Sequence, residues 1–275
     1  MQVKPWGTSV PACSLFVLDC HAIRIDGATE KVSTQWSTFD RTTTSGLVIR
    51  HCPRLVNLTN GELPVGLQAN DFPKSLMDIE FCVTNLRILL DDLDLKWPKF
   101  GTIYFESCNL STVPASLVRL SPYVTSLALN PISSIPESLL TSTAGYVHVG
   151  GTLITELPQT VNVSPFFKLR VDRTNISFFW DWIDSMVANA GQIYNSLPTI
   201  LATDSPYCSE LQRIFEEKQS NFSIPWHQGQ SMTLSNASPE NWVTLKKAVS
   251  CEAWTQTLYP VEFEDKYSKI KAELV

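Results

Sequence analysis

The side chains in this 275-residue chain that could do chemistry are few and far apart. His21 follows Cys20 and His51 precedes Cys52, and two thiols with two imidazoles would suit a tetrahedral zinc ion if the segments met. Neither pair belongs to the Cys-x-x-Cys spacing that usually carries such a site. The run Asp91-Asp92-Leu93-Asp94 could hold a cation, yet it lacks the glycine and the ligand spacing of a calcium loop and reads as a solvated turn. Asp181 and Asp184 are three apart in a helical stretch, where acidic residues favour the first turn for electrostatic reasons alone. No Gly-x-Ser-x-Gly elbow, His-Glu-x-x-His pair or phosphate-cradling glycine loop occurs. The reading is a chain without catalysis, cofactor or metal.

Two other sets of residues point to a compartment. Asn-x-Ser/Thr acceptor sequences occur at Asn57, Asn109, Asn162, Asn175, Asn221 and Asn236, more than the Ser and Thr content accounts for, which predicts glycosylation in a secretory history. Ser205-Pro206 opens one amphipathic helix and Ser238-Pro239 a second, with Cys208 near the start of the first and Cys251 just past the end of the second. Antiparallel packing would bring Cys208 and Cys251 within reach of a disulfide.

The elements that position these residues follow from a repeat. Ile103, Thr125, Val147 and Leu169 begin segments spaced by 22 residues. Each has an inward apolar residue two places on (Phe105, Leu127, Val149, Val171), then a small polar or thiol residue (Cys108, Asn130, Thr152, Thr174) and an aliphatic anchor (Leu110, Ile132, Ile154, Ile176). Three of the four close on an aliphatic-proline pair, Val113-Pro114, Ile135-Pro136 and Leu157-Pro158. Alternating apolar residues form a short strand, and each turn leaves an apolar edge that only another turn covers. The polar position answers backbone groups at the bend leaving the strand, and proline fixes an extended return where no amide donor is needed.

Phe16–Leu18, Leu47–Ile49 and Ile79–Phe81 resemble the strand half of the same unit at longer spacing, so residues 1–99 read as irregular leucine-rich turns and residues 100–191 as regular ones. Thr29–Ser45 is a polar excursion. Phe178–Val187 reads as a helix that packs Trp180 and Trp182 on the last turn and closes at Gly191. Residues 192–275 keep no period and read as a C-terminal helical cap over the open end. Cys52 and Cys108 fall at the bend and Cys82 within a strand, which predicts reduced core thiols, while Cys13 and Cys20 are a candidate pair. With seven cysteines, at least one is left over within the chain.

This pattern is that of the leucine-rich repeat. It predicts an α/β solenoid, a right-handed superhelix with a curved parallel sheet, an irregular, 3-10 or helical convex side and a C-terminal cap. The stretch Asn-Pro-Ile-Ser-Ser-Ile-Pro at 130–136, Trp-Asp-Trp-Ile-Asp at 180–184 and Ser-Pro-Tyr-Cys at 205–208 resembles the extracellular leucine-rich repeat proteins of oomycetes. The chain departs from them at Phe179-Trp180, where they have Leu-Pro, and at Ser205, where they have Thr. The resemblance implies surface exposure more than a defined activity.

Solvent-facing strand positions in this register are Tyr104 and Glu106, Tyr146 and His148, and Lys168, Arg170, Asp172 and Arg173. Tyrosine and arginine in one column favour binding of an acidic protein or peptide segment. A formal net charge of −6 without a basic cluster argues against nucleic acid, and no apolar run of membrane-spanning length is present. Met1–Trp6 lacks the charged start and apolar core of a leader, so the chain is either cytosolic or a piece of a longer one. The expected function is non-enzymatic recognition by an extracellular or cell-surface module. Its alternatives are an intracellular scaffold in the cytoplasm, or the sensing ectodomain of a receptor whose kinase lies outside this chain.

Overall fold

The computed structural model describes residues 14–20, 44–52, 54–55, 63, 76–99, 101–193, 198–219 and 221–252. Nine parallel strands follow one another in chain order, and the described residues fall into two compact units, the first ending at Ser126 and the second starting at Leu127.

In the first unit β1 (Ser14–Asp19), β2 (Thr44–Cys52), β3 (Asp78–Thr84), β4 (Thr102–Glu106) and β5 (Val124–Ser126) pair in sequence order. The register sets Ile49 beside Phe81 and Phe81 beside Phe105. Period-two alternation sends these residues to one side, where all three are fully buried. Trp97 lies just past the short helix α1 (Leu93–Lys96) and stacks on Phe81 with ring centroids 6.0 Å apart, and Phe105 packs 5.5 Å from Phe81. Thr102 donates its amide to Met77 O at 2.7 Å, and a Cβ on Gly101 would fall 2.2 Å from that oxygen; the close approach of the two chains requires glycine. Arg119, on helix α2 (Ala115–Leu120), reaches Asp91 at 2.8 Å and Asp94 at 2.9 Å, while Lys96 reaches Asp92 at 2.7 Å. The acidic run is therefore answered by side chains of the protein.

In the second unit Leu127 and Leu129 donate their amides to His148 O and Gly150 O at 2.8 and 2.9 Å. After them β6 (Tyr146–His148), β7 (Lys168–Arg170), β8 (Ile200–Leu201) and β9 (Val249–Ser250) pair in parallel. Leu127, Val147, Val149, Leu169, Val171, Ile154 and Ile176 have no exposed surface. The bend position works as the repeat predicts. Asn130 Nδ2 donates to Leu127 O and Ala128 O at 2.9 and 3.2 Å, and the Thr152 and Thr174 hydroxyls donate to Val149 O and Val171 O at 2.6 Å. Pro136 sits at φ −73°, ψ 150°, the extended return expected of it.

Two expectations change here. Ile200–Leu201 and Val249–Ser250 extend the ladder beyond the regular repeats, so the last part of the chain supplies two further rungs as well as helices. Helix α3 (Trp182–Ile193) starts later than expected and runs through Gly191 instead of closing there. Trp180 and Trp182 are held as the sequence suggested, their indole N–H groups donating to Leu157 O and Pro158 O at 2.7 and 3.0 Å. Helix α4 (Pro206–Glu217) is capped by Ser205, whose hydroxyl accepts from the Cys208 amide at 3.2 Å. Helix α5 (Trp242–Ala248) follows a 3-10 turn at Pro239–Asn241 and lays Trp242 edge-on to Phe215, centroids 5.4 Å apart.

Candidate binding face

The cysteines settle first. Cys208 and Cys251 form the expected disulfide, closing a separation of 43 residues. Cys20 and Cys52 form another, 32 residues apart. This corrects two expectations, the reduced thiol at Cys52 and the pairing of Cys20 with Cys13, which itself lies outside the described residues. The reason is register. The amide of Cys20 donates to Arg50 O at 3.1 Å, which sets Cys20 beside the bend position that Cys52 occupies in the next turn. The same oxidation takes both sulfurs out of any zinc set with His51, while His21 lies outside the described residues.

Cys82 and Cys108 are free and buried, as expected. Burial, and then the charge of Glu106, pushes the Cys82 thiol well above its ordinary range, and burial pushes Cys108 up to about 12. Neither is a thiolate near neutral pH, so neither offers a nucleophile. Cys108 is held at the bend by Thr84 Oγ1 at 3.2 Å.

The remaining candidates for chemistry separate. Asp184 accepts from the Ser231 hydroxyl and from the Met232 and Thr233 amides at 3.1 and 3.3 Å, fixing the turn after the 224–230 loop, whereas Asp181 is exposed. His51 pairs with Asp19 at 3.2 Å in the first unit. In the second, His227 stacks on Phe178 with centroids 4.4 Å apart. Among the described residues no group of three or more His, Cys, Asp or Glu side chains could hold a metal ion, and no helix is long and apolar enough to cross a membrane.

The strand face opposite the core is built from the expected residues with a different exposure. In the second unit Tyr146 pairs with Lys168 and His148 with Arg170 in adjacent strands. Alternation puts Asp172 on the same side as Arg170, and the guanidinium of Arg170 forms a close ion pair with it. Arg173 Nε reaches the other carboxylate oxygen at 3.4 Å, and His148 Nε2 lies 3.9 Å from Asp172 Oδ1. Tyr146, His148, Arg170 and Asp172 are buried, His148 to 1 % exposure, against the expectation that they face solvent. Lys168 is half-buried, and Arg173, with 44 % of its side chain exposed, is the most accessible charge of the group. In the first unit the same correction applies to Glu106, which is 1 % exposed, while Tyr104 is half-buried.

Burial first, then the charges of Arg170 and Arg173, hold the His148 imidazole well below its ordinary pKa despite the nearby carboxylate. It is neutral, so the positive charge of this face belongs to arginine and lysine. Burial likewise draws Lys168 below the usual ammonium range.

The backbone of Arg173 is fixed. It takes the left-handed conformation, φ 54°, and its amide donates to Thr203 O at 2.7 Å. That conformation recurs at the end of the strand or just past it in successive turns, at His51, Val83, Ser107, Leu129 and Gly151. The disulfide at Cys208 and the bend hydrogen bonds were visible in the motif; the Arg170–Asp172 pair was missed, and its signal is two opposite charges two residues apart at the end of β7. No protein-family model matches this sequence, and no curated protein matches it.

Five of the six glycan acceptor asparagines, Asn109, Asn162, Asn175, Asn221 and Asn236, are exposed. Asn57 lies outside the described residues.

Proposed function

We propose that this chain is a non-enzymatic recognition module of an extracellular or cell-surface leucine-rich repeat protein, similar to those of oomycetes, and that it binds an acidic protein or peptide segment along β6 and β7. The observation that carries the reading is the arrangement of charge on β7 and the turn that follows it. Asp172 is spent on Arg170 and on Nε of Arg173, while Arg173 keeps much of its surface in water and Lys168, at the start of β7, is half-buried. The planar guanidinium fork of arginine matches a carboxylate in two parallel hydrogen bonds. The buried Tyr146, His148, Arg170 and Asp172 then act as the base that fixes the contact residues.

Two disulfides among the described residues support an oxidising compartment, and with them the glycosylated, secreted character the acceptor sequences suggest. The test is selection from a random peptide display library with the full chain. Enrichment in Asp and Glu, weakened by salt as screened charges are, is expected. A selection without acidic bias, or one unaffected by Arg173→Glu, sinks the proposal.

A further inference from the structure

The exits from β4, β5, β6 and β7 share a pattern of three residues. Asn109, Pro131, Leu153 and Asn175 hold equivalent places in four turns and all are exposed. The next residue is fully buried in every case, Leu110, Ile132, Ile154 and Ile176. The one after that always carries a hydroxyl: Ser111, Ser133, Thr155 and Ser177. The backbone is pinned at this place, since the amides of Asn109, Leu153 and Asn175 donate to Leu86 O, Ile132 O and Ile154 O at 2.8, 2.8 and 3.0 Å. A side chain here is directed away from the core by the buried anchor that follows it.

We propose that this strand-exit position is the N-glycan acceptor position of the repeat, occupied by Asn109 and Asn175. The inference rests on the extracellular reading above. The co-substrate is an oligosaccharide linked to a lipid through pyrophosphate. The Nδ2 of the asparagine attacks C1 of the first sugar, the bond from C1 to the pyrophosphate oxygen breaks, the lipid pyrophosphate leaves with the electron pair, and one amide proton is released. The hydroxyl two residues on completes the acceptor sequence. Transfer to an unfolded chain is useful only where the finished fold has room for a bulky solvated group, and the outward–inward–outward order of these three residues provides that room.

The register makes a prediction that sequence motifs alone do not. Leu153 is 56 % exposed and is already followed by Ile154 and Thr155, so Leu153→Asn completes an acceptor at the same place. The full chain is expressed behind a cleavable leader in a eukaryotic cell, and its peptides are mapped before and after enzymatic removal of N-glycans. Glycans are expected on Asn109 and Asn175, and one more at the substituted position of Leu153→Asn, with an unchanged melting temperature. Pro131→Asn, which completes an acceptor with Ser133, repeats the test. Secreted, disulfide-bonded chain with bare Asn109 and Asn175 overturns the proposal. So does a substituted position that stays bare in both variants, or that gains a glycan only in molecules that no longer melt cooperatively. Because the leader is supplied, failure here is separate from failure of the extracellular reading, which shows as reduced Cys208 and Cys251 in the chain's own cells.

Discussion

Gly150 and Asp172 occupy equivalent places in successive turns, and a Cβ on the glycine would fall 2.7 Å from Asp172 Oδ1 and 2.6 Å from His148 Nε2. The missing side chain is what lets the carboxylate approach Arg170 on a buried face. Gly150→Ala should therefore displace Asp172 and cost about 1–3 kcal/mol, the usual penalty of overpacking. Chemical denaturation of the two proteins checks this; equal midpoints would mean that Asp172 has another place to go.

Asp172→Asn leaves the buried guanidinium of Arg170 without its charge partner. Removing one member of a buried ion pair typically costs about 3–5 kcal/mol. Because 44 % of the Arg173 side chain is exposed, Arg173→Gln should cost less than about 1 kcal/mol. If the two variants melt alike, the pair contributes to stability no more than a surface contact does.

How much of this was legible in the sequence depends on how local the signal is. The strands at Ile103, Val147 and Leu169 could be read because apolar alternation and the 22-residue spacing reinforce each other over several turns. Strands β8 and β9 have two residues each, too few for alternation to register, and they are held in place by pairing rather than by propensity. The Cys20–Cys52 bridge depends on which residue of one turn lies beside which residue of the next, and turns of unequal length hide that register. Alternation assigned Tyr146, His148 and Arg170 to the correct face. It says nothing about how much water reaches that face, and there the expectation failed.

His148 gives a pH dependence of defined sign. Its folded pKa is depressed below 6.5 by burial and by Arg170 and Arg173. As pH falls through 6.5, the unfolded chain takes up a proton that the folded chain refuses, so this group costs no stability above that pH and progressively more below it. Melting temperatures at about pH 7.5 and about pH 5.5 should differ more for the native protein than for His148→Gln. The same drop in both would show that acid destabilisation arises elsewhere.

Val83, the penultimate residue of β3, sits at φ 53°, and Gly151, at φ 65°, takes the same left-handed conformation just past β6. A β-branched residue in the left-handed region costs about 1–2 kcal/mol, and glycine gives part of that back as backbone entropy. Val83→Gly should thus raise the melting temperature slightly and Gly151→Val should lower it. Shifts of the opposite sign would contradict the strand-exit geometry.

Opening the Cys208–Cys251 bridge with serine at both positions releases a loop of 43 residues, worth about 4 kcal/mol if chain entropy dominates. The loss should appear in the denaturation midpoint of the whole second unit. A midpoint that does not move would show that the helices hold without the bridge.

The most direct measurement is an equilibrium titration of the native protein and Arg173→Glu against an Asp- and Glu-rich peptide selected on the native chain, at one fixed ionic strength. Recognition through β6 and β7 predicts a loss of at least about tenfold in affinity, with an unchanged melting temperature. Equal affinities would place the binding surface somewhere other than this face.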